Sequence, residues 1–387
     1  MPLPATTHVA IVGAGPTGLT LALTLARAGI DFVLLDRQAE GAGTSRAAVV
    51  HARTLEVLDE LDPAAAAELI RRGRTVTRFQ MRDGARPLAA VTFEGLPTAH
   101  SYALMVPQDQ TEAVLLERLR ALGGDVHRPY EVTSVTQDPG SAGVTLTTAT
   151  GETLRAAYAV GADGMHSTVR EAAGIGFAGS AYEESFVLAD VAMEWAPGPQ
   201  EVSLSFGAAG LTVVAPLPSG RYRVVCTVAD APAEPDLPFV RALLDARAPG
   251  MAKVTDVAWS SRFRIHHRVA DRYRAGRLLL AGDAAHVHSP AGGQGMNTGI
   301  QDGYALGRAL ADAGTGTGTV GTALDAYEAT RRPVALRVVA LTDRMTRIAT
   351  TRSPALRAAR NTLLPLLARI PALQRRLATE LAELDYR

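Results

Sequence analysis

Three closely spaced glycines near the start of the chain could bring a phosphate against the backbone. Gly13, Gly15 and Gly18 follow a β-branched run at 8–12 and precede a stretch rich in leucine and alanine. In a strand–turn–helix unit the first glycine permits a sharp turn. The second lets the backbone approach a pyrophosphate, and the third allows tight packing of helix on strand. With the positive end of the helix dipole facing the anion, the pattern predicts a dinucleotide site.

An acidic residue after the next apolar run extends this prediction to a ribose. Asp36 follows the run 32–35, so that 8–36 is predicted to form a β-α-β unit with parallel strands. A carboxylate at this place accepts hydrogen bonds from adenosine ribose hydroxyls and repels a 2′-phosphate. Arg37, the next residue, is a further candidate contact.

The same glycine spacing occurs twice more, in weaker contexts. One match has no helical pattern after it, and the other lies in a glycine–threonine tract, so a turn-forming role is favoured for both. These matches are Gly174, Gly176 and Gly179, and Gly316, Gly318 and Gly321.

Two later stretches indicate which dinucleotide is bound. Residues 160–170 (VGADGMHSTVR) follow a predicted strand and open a short helix, and 277–302 place an aspartate after a strand and a glycine loop before a helix. With the N-terminal unit they resemble the FAD-dependent aromatic hydroxylases, single-component flavoprotein monooxygenases related to p-hydroxybenzoate hydroxylase. The resemblance covers about 1–350 and is greatest to the branch acting on phenols and polycyclic polyketides. We expect the chain to lack the thioredoxin-like C-terminal domain that many of those members carry.

The resemblance implies FAD as cofactor, NADPH or NADH as a transient co-substrate, and dioxygen as oxidant. It implies that reduced FAD binds oxygen at C4a and that the resulting hydroperoxide hydroxylates a phenolic or polycyclic aromatic substrate. The protein would keep water from the flavin and orient the substrate. The catalytic base and the choice between NADH and NADPH stay open.

The resemblance also assigns residues to the cofactor. Asp283 would accept hydrogen bonds from the ribityl chain of the flavin. Asp163 and Gly164 match a motif that touches the pyrophosphate and is implicated in nicotinamide binding. Arg46 and Gln108 match positions beside the cofactor.

The glycine loop before the last helix of the site would hold the flavin ring. Met296 and Asn297 open that helix, where backbone N–H groups can face flavin N1 and O2 and stabilise the negative charge of the reduced ring. Gly293 and Gly295 would let the ring approach the backbone without Cβ clashes. Pro290 is the catalytic candidate, since it matches a proline whose carbonyl lies near the substrate and the C4a edge.

The strand and helix patterns that surround these residues predict an α/β fold. It consists of a Rossmann-like FAD-binding domain with an inserted, largely antiparallel sheet for the substrate and C-terminal helices. A helical pattern is predicted at about 54–72, and amphipathic helices interrupted by prolines, Pro333 among them, are predicted at 323–349 and 354–384. We assign the FAD-binding domain to 1–75, 101–178 and 265–350, the substrate domain to 76–100 and 179–264, and a helical segment to 351–387.

Composition limits the class of protein. The 387 residues include 39 basic and 39 acidic side chains, which argues against a nucleic acid held by net charge. Cys226 is the single cysteine, so we expect no intramolecular disulfide and a cytoplasmic location. No apolar run is long enough to predict a membrane span. A small aromatic substrate is the expected partner, and a homodimer is left open.

For several residues the sequence allows either a structural or a functional role. His286 and His288 could suggest a metal, but without a third ligand no metal site is predicted. His266 and His267 are expected at the edge of a sheet or in a loop. Four aromatic residues could line the substrate pocket or belong to the core: Trp195, Phe206, Tyr222 and Trp259.

The sequence is also compatible with functions other than aromatic hydroxylation. A flavin-dependent halogenase would need a lysine in its site, and Lys253 is the only lysine. A same-superfamily epoxidase or hydroxylase of a non-aromatic substrate and a flavin-binding regulator are further alternatives. The arginine- and leucine-rich helices at 354–384 could meet a membrane surface, although packing on the body or on a partner chain is favoured.

Overall fold

The computed structural model describes residues 2–41, 47–138, 140, 143–207, 210–314, 320–349, 351 and 353–386. The strands are β1 (Thr6–Val12), β2 (Phe32–Leu35), β3 (Val49–Val50), β4 (Arg74–Val76), β5 (Arg78–Asp83), β6 (Arg86–Thr92), β7 (Ala103–Met105), β8 (Val126–His127), β9 (Val132–Gln137), β10 (Val144–Thr148), β11 (Thr153–Gly161), β12 (Phe177–Trp195), β13 (Glu201–Gly207), β14 (Gly210–Pro216), β15 (Tyr222–Val228), β16 (Ala252–Ala270), β17 (Arg274–Ala275), β18 (Leu278–Leu280) and β19 (His286–Val287). The helices are α1 (Pro16–Arg27), α2 (Ala52–Leu61), α3 (Pro63–Arg72), α4 (Gln108–Ala121), α5 (Thr168–Ala172), α6 (Leu237–Arg247), α7 (Gly295–Gly314), α8 (Val320–Ala349), α9 (Pro354–Leu367) and α10 (Pro371–Leu381), with short 3-10 turns at Gly282–Ala284 and Leu384–Tyr386.

The first sheet is built around parallel strands. Its order is β17-β18-β11-β1-β2-β8, and β10 and β9 extend it from β11 as an antiparallel hairpin. The strands β1, β2, β8, β11 and β18 run parallel to one another, whereas the pairs β17–β18 and β10–β11 are antiparallel. Their side chains form the largest buried apolar cluster, as expected where helices cover both faces of a sheet. The predicted β-α-β unit and the α/β fold class are confirmed.

Helices α1 and α7 pack closely because glycines occupy the face of α7 that meets α1. A Cβ on Gly299 would lie 2.4 Å from the Thr17 hydroxyl oxygen, and one on Gly303 would lie 2.5 Å from the Thr17 carbonyl oxygen. Gly307 stands in the same relation to Thr24, at 2.6 Å. The spacing of four residues puts the glycines on one face of the helix. This contact joins the N-terminal unit to the end of the same domain.

The second sheet is largely antiparallel and has two different faces. Its order is β19-β16-β12-β15-β14-β13-β5-β6, and β13 runs parallel to β5. Helix α6 covers one face, where Trp195, Tyr222 and Leu244 share a buried cluster. The opposite face contributes Phe186 and Phe206 to a separate cluster that also contains β3 and β7 residues. The second face therefore looks toward the first domain.

The C-terminal helices lie along the edge of the second sheet. Helices α9 and α10 both contact β6. Leu381 and Leu384 are buried in the same cluster as Phe206. None of the described helices is long and apolar enough to span a membrane.

The structure refines the predicted helices. The helical stretch predicted at about 54–72 forms two helices, α2 and α3, because Asp62 caps α3 by accepting a 3.1 Å hydrogen bond from Ala64 N–H. Pro333 does not interrupt α8, whose packed residues include the fully buried Val338. Helix α6 was missed, although Asp236 before a proline in the first turn is a helix-start signal.

The domain division stays a proposal. Strands of the second sheet fall mainly within 76–100 and 179–264, but β12 starts at Phe177 and β16 runs to Ala270. The short strand β19 also pairs with β16.

Candidate functional site

Four segments leave the first sheet at one edge because their strands are parallel and in register. Leu35 is aligned with Val12, Val12 with Gly161, and Gly161 with Leu280. The carboxyl ends of parallel strands form the ligand-binding edge of such sheets. The predicted site residues just beyond these four strand ends are Gly13, Asp36, Asp163 and Asp283.

The three glycines of the first turn have different steric environments. A Cβ on Gly13, at φ +101°, would lie 2.3 Å from the Ala162 carbonyl oxygen, and one on Gly18 would lie 1.9 Å from the Gly13 carbonyl oxygen. A Cβ on Gly15 would meet no atom within 4 Å. Gly15 is the N-cap of α1. Gly13 and Gly18 are therefore required by packing, whereas Gly15 leaves open space at a helix N-terminus that fits an anion.

Asp36 holds the glycine turn in place. Its Oδ2 accepts a 2.8 Å hydrogen bond from Ala14 N–H, and its Oδ1 accepts one of 2.8 Å from Gln38 N–H. Arg128 lies 3.2 Å from Oδ1, a partner too distant in sequence to be predicted. Carboxylate oxygens can accept about two bonds each, so capacity remains for a ribose hydroxyl. Arg37 is exposed.

Asp163 presents a buried acceptor. Its Oδ2 accepts a 2.8 Å hydrogen bond from Thr168 N–H. Its Oδ1 is buried and has no hydrogen-bond partner among the described residues. Burial raises the pKa of this carboxyl above its ordinary value, although hydrogen bonds from Ser167 and the backbone act the other way. A buried acceptor without a partner fits a site that a polar ligand group completes. Gly164, at φ +81°, continues this loop.

Arg170 ties the Asp163 loop to the Asp283 turn. Its guanidinium donates to the Met165 carbonyl at 2.8 Å and to the Ala284 carbonyl at 3.0 Å. Sequence reasoning did not select Arg170, although it closes the quoted stretch 160–170. The two motifs that carried the resemblance are thus joined by one buried side chain.

A buried ionic group fixes the turn that carries Asp283. Asp283 is exposed, directly after β18. The preceding Gly282 donates its N–H to Asp302 Oδ2 at 3.2 Å. Asp302 is fully buried and contacts Arg331 and His286, both at 2.6 Å. Burial disfavours its charge, but these two partners hold the pKa of the Asp302 carboxyl below its ordinary value.

The Asn297 side chain clamps the glycine loop. It accepts a 2.8 Å hydrogen bond from His51 N–H and donates to the carbonyls of Val49 at 2.9 Å and Gly293 at 2.8 Å. A Cβ on Gly293, at φ +67°, would lie 2.1 Å from Val49 Cγ1. The sequence prediction explained Gly293 by the approach of the flavin. The structure adds a packing reason that is independent of any ligand.

The N-terminus of α7 has the geometry predicted for it. The helix begins at Gly295, and the Thr298 N–H bonds the Gln294 carbonyl at 2.9 Å. The N–H groups of the first turn, including that of Met296, have no acceptor within the helix and point from its end. Pro290 is exposed, and its carbonyl accepts a 2.9 Å hydrogen bond from Gly293 N–H. One lone pair of that carbonyl is therefore used by the turn.

Gln108 and an arginine of the second sheet hold the same segment. Gln108 exchanges backbone and side-chain hydrogen bonds with Ala47, at 3.1 and 3.4 Å. Arg223 donates to the Ala47 carbonyl at 2.7 Å and makes a bidentate pair with Asp190, both bonds at 2.8 Å. Arg46 lies outside the described residues, so its prediction is not tested.

The C-terminal segment closes the back of the site. Glu383 is fully buried and accepts a hydrogen bond from the Gln301 side chain, which also donates to Thr54 Oγ1 at 3.1 Å. Gln294 donates to the Leu381 carbonyl at 3.1 Å. Burial raises the pKa of Glu383 to about 8, so this carboxyl is largely protonated at neutral pH.

The histidines occupy structural positions. His286 and His288 stack with ring centroids 6.3 Å apart, and burial lowers the pKa of His288 to about 4. His266 and His267 lie within β16, paired with β12. Among the described residues, no group of three or more histidine, cysteine, aspartate or glutamate side chains could hold a metal ion.

The aromatic candidates separate between the two faces of the second sheet. Trp195 and Tyr222 are buried under α6, so they are core residues. Phe206 belongs to the opposite cluster, and Trp259 is half-buried. Lys253, the residue a halogenase would need, is exposed and pairs with an exposed glutamate at 3.0 Å.

Comparison with known proteins identifies the family. The chain matches the family described as "FAD binding domain" over residues 6–342. It is 39% identical over 339 residues to rifampicin monooxygenase of Streptomyces venezuelae, covering 86% of this chain and 69% of that protein. The chain belongs to the FAD-dependent monooxygenases.

Solved structures of similar enzymes share the fold of this monooxygenase. Anhydrotetracycline hydroxylase from Streptomyces rimosus has a TM-score of 0.81 at 37% identity, covering 98% of this chain and 76% of that chain. p-Nitrophenol 4-monooxygenase from Pseudomonas putida has a TM-score of 0.87 at 27% identity, covering 99% of both chains. The open space at Gly15 and the unpartnered Oδ1 of Asp163 fit the FAD that the family binds.

Replacing Gly15 with valine should remove FAD without unfolding the chain. The valine side chain would fill the space of the pyrophosphate, while φ −74° and the open surroundings allow any residue. Flavin absorbance of the purified variant measures the loss, and far-ultraviolet circular dichroism checks the fold. Gly321→Val is the control, since its Cβ would meet nothing closer than 4.0 Å. Stoichiometric FAD in the Gly15 variant would contradict the assignment.

Glu383 should make the free energy of unfolding fall between about pH 4.5 and pH 8. The ordinary pKa of this carboxyl is 4.5, and burial raises the pKa of Glu383 to about 8. Between these two pH values the folded state holds a proton that the unfolded state releases. Stability from this group is complete below the lower value and lost as pH rises toward the upper one. Urea unfolding across this range should show a flatter slope in Glu383→Gln. The control Asp385→Asn, at an exposed site, should keep the wild-type slope.

Proposed function

We propose that this enzyme hydroxylates a phenolic or polycyclic aromatic compound with NADPH or NADH and dioxygen. The observation that carries the proposal is the shared register of β2, β1, β11 and β18, which gathers the cofactor residues at one edge. An apolar face of the second sheet looks toward the same domain. Similar proteins are named for rifampicin, anhydrotetracycline and p-nitrophenol, which supports an aromatic substrate.

The chain binds and orients the cofactor in this proposal. Bound FAD supplies the transfer of electrons from the nicotinamide to dioxygen. The turn at Gly15 takes the pyrophosphate, Asp36 the adenosine ribose and Asp283 the ribityl hydroxyls. The first turn of α7, at Met296, directs N–H groups at negative charge on the ring. The Pro290 carbonyl, with its remaining lone pair, faces the substrate.

The substrate would lie against the second sheet on the face opposite α6. Phe263 is half-buried and lies 5.8 Å from the buried Phe186 ring, which suits stacking with an aromatic ligand. Arg223 and Asp190 supply a polar group beside this apolar wall. Other half-buried side chains on the same cluster are Met81, Val213, Val225 and Met345.

A group of two arginines and three histidines beside the Asp163 loop supports a place for the phosphates of the nicotinamide co-substrate. Burial, and then the charges of Arg268, His166, Arg264 and His267, lower the pKa of His266. His166 is part of the loop that begins at Asp163 and Gly164. A phosphate bound here would offset the repulsion among these groups. The co-substrate would then bind transiently on the surface, without a second Rossmann domain.

The compartment is also proposed. Cys226, the single cysteine, is buried, which supports a reducing environment such as the cytoplasm. The small aromatic substrate is the proposed partner, and the number of subunits is left to experiment.

Replacing Asp283 with asparagine should weaken FAD binding about tenfold, because the ribityl hydroxyls lose a charged acceptor. Titration of the apoprotein with FAD, followed by flavin fluorescence, measures this change. Asp230→Asn, at a fully exposed side chain, is the control and should bind FAD as the wild type does. Equal affinity in both variants would remove Asp283 from the site.

A phenolic substrate should accelerate NAD(P)H oxidation by the yellow protein and yield a hydroxylated product. Phe263→Ala should then raise the substrate KM about tenfold with little change in FAD content, since the lost ring contributes only to the substrate wall. Phe239→Ala is the matched control, since Phe239 is a half-buried phenylalanine of α6 that packs against Val187 and Val228. Absorbance at 340 nm follows the reaction. A screen in which no aromatic compound stimulates oxidation or is hydroxylated would refute the proposed function.

A further inference from the structure

The C-terminal helices carry a concentrated apolar surface. Among the described residues nine large apolar side chains are exposed, and seven of them lie between residues 348 and 377. Leu356, Leu363 and Leu367 recur at the spacing of one helix face. We call the set the leucine surface: Ile348, Leu356, Leu363, Leu366, Leu367, Ile370 and Leu377. Packing of these helices on the body, favoured from the sequence, therefore leaves this face uncovered.

The same segment is strongly basic in a chain of zero net charge. Residues 351–379 contain six arginines and no aspartate, glutamate or lysine. Arg360 is buried and used internally. Four others, on the described part of the segment, have no ion-pair partner among the described residues: Arg357, Arg369, Arg375 and Arg376. Apolar and cationic groups are thus combined on one exposed element.

Helix α9, which carries part of the leucine surface, is attached to the second sheet by hydrogen bonds. The Arg360 guanidinium donates to the Phe206 and Ile348 carbonyls and lies 5.3 Å from the Phe206 ring centre. Asn361 donates to Asp83 Oδ2 at 2.6 Å. These contacts attach α9 to the edge of the second sheet. Arg360 lies four residues after Leu356 and three before Leu363, so α9 is fixed beside the leucines while Leu356 and Leu363 themselves stay exposed.

We propose that the leucine surface binds an anionic lipid surface, with α9 and α10 lying in the plane of the interface. Exposed leucines and arginines combined on short helices are the chemistry of interfacial helices, which attach to a membrane surface without spanning it. A second copy of this chain is the other occupant to consider. A two-fold contact would place the arginine-rich segment of one copy against that of the other, without acidic side chains from residues 351–379 to balance them. Charge therefore favours an anionic partner.

Binding to vesicles tests the proposal with the full, FAD-loaded chain. The protein should sediment with vesicles made of equal parts phosphatidylcholine and phosphatidylglycerol, and stay in solution with phosphatidylcholine alone. Raising the salt should release it, because screening weakens attraction to the lipid charge. Equal binding to both vesicles, or no binding to either, would overturn the proposal.

Variants separate the apolar and the cationic contributions. Leu363→Glu with Leu366→Glu, and separately Arg369→Glu with Arg376→Glu, should each weaken binding by at least about tenfold. Leu122→Glu and Arg27→Glu change exposed residues of the same types elsewhere and should bind as the wild type does. Flavin content and circular dichroism confirm that each variant is folded.

Sedimentation equilibrium without lipid decides between the two occupants. A dimer that Leu363→Glu dissociates would show that a second copy covers the leucine surface, and would refute the lipid proposal. A protein that stays monomeric, with lipid binding as described, supports it. Aromatic-stimulated NAD(P)H oxidation in detergent-free buffer is measured alongside, so that failure of the lipid proposal is distinguishable from failure of the proposed function.

Discussion

The approach of backbone to backbone where β1 turns into α1 is the constraint on which the rest of the structure depends. Gly13 lies against the Ala162 carbonyl, and Gly18 lies against the Gly13 carbonyl. The glycine face of α7 meets Thr17, next to Gly18 in the first turn of α1. No side chain fits in these contacts, so the strand ends and the two helix N-termini are held close together. A flavin laid along this edge would meet backbone N–H groups at both ends.

The buried and the exposed charged residues of the site have different roles. Asp302, Arg331 and His286 are buried together and fix a backbone turn through a hydrogen bond. Asp283, on that turn, is exposed. Asp36 combines the two roles, because its oxygens bond the backbone of the glycine turn and still have lone pairs to offer. A buried ion pair thus positions the turn that carries an exposed carboxylate, which we propose binds the cofactor.

The two faces of the second sheet have different surroundings. Successive residues of β15 alternate between them, so that Tyr222 and Val224 pack with α6 while Arg223 reaches Ala47. The α6 face is a sealed core. The opposite face keeps half-buried apolar side chains beside the domain that binds FAD. The C-terminal segment then covers the rear of α7 through Glu383 and leaves the leucine surface outside.

The sequence by itself determined the cofactor class and the local turns, because glycine spacing, strand runs and an acidic residue at a strand end act over a few residues. It also indicated the inserted sheet, although it missed α6, did not locate the break between α2 and α3 at Asp62, and wrongly expected Pro333 to interrupt a helix. Only the tertiary structure decided which aromatic residues are core and that Arg128, Arg170 and Arg223 hold the site together. Those contacts join residues far apart in the chain. The partners of these arginines are mostly backbone carbonyls, which every residue carries. The pattern of side chains in the sequence therefore could not predict these contacts.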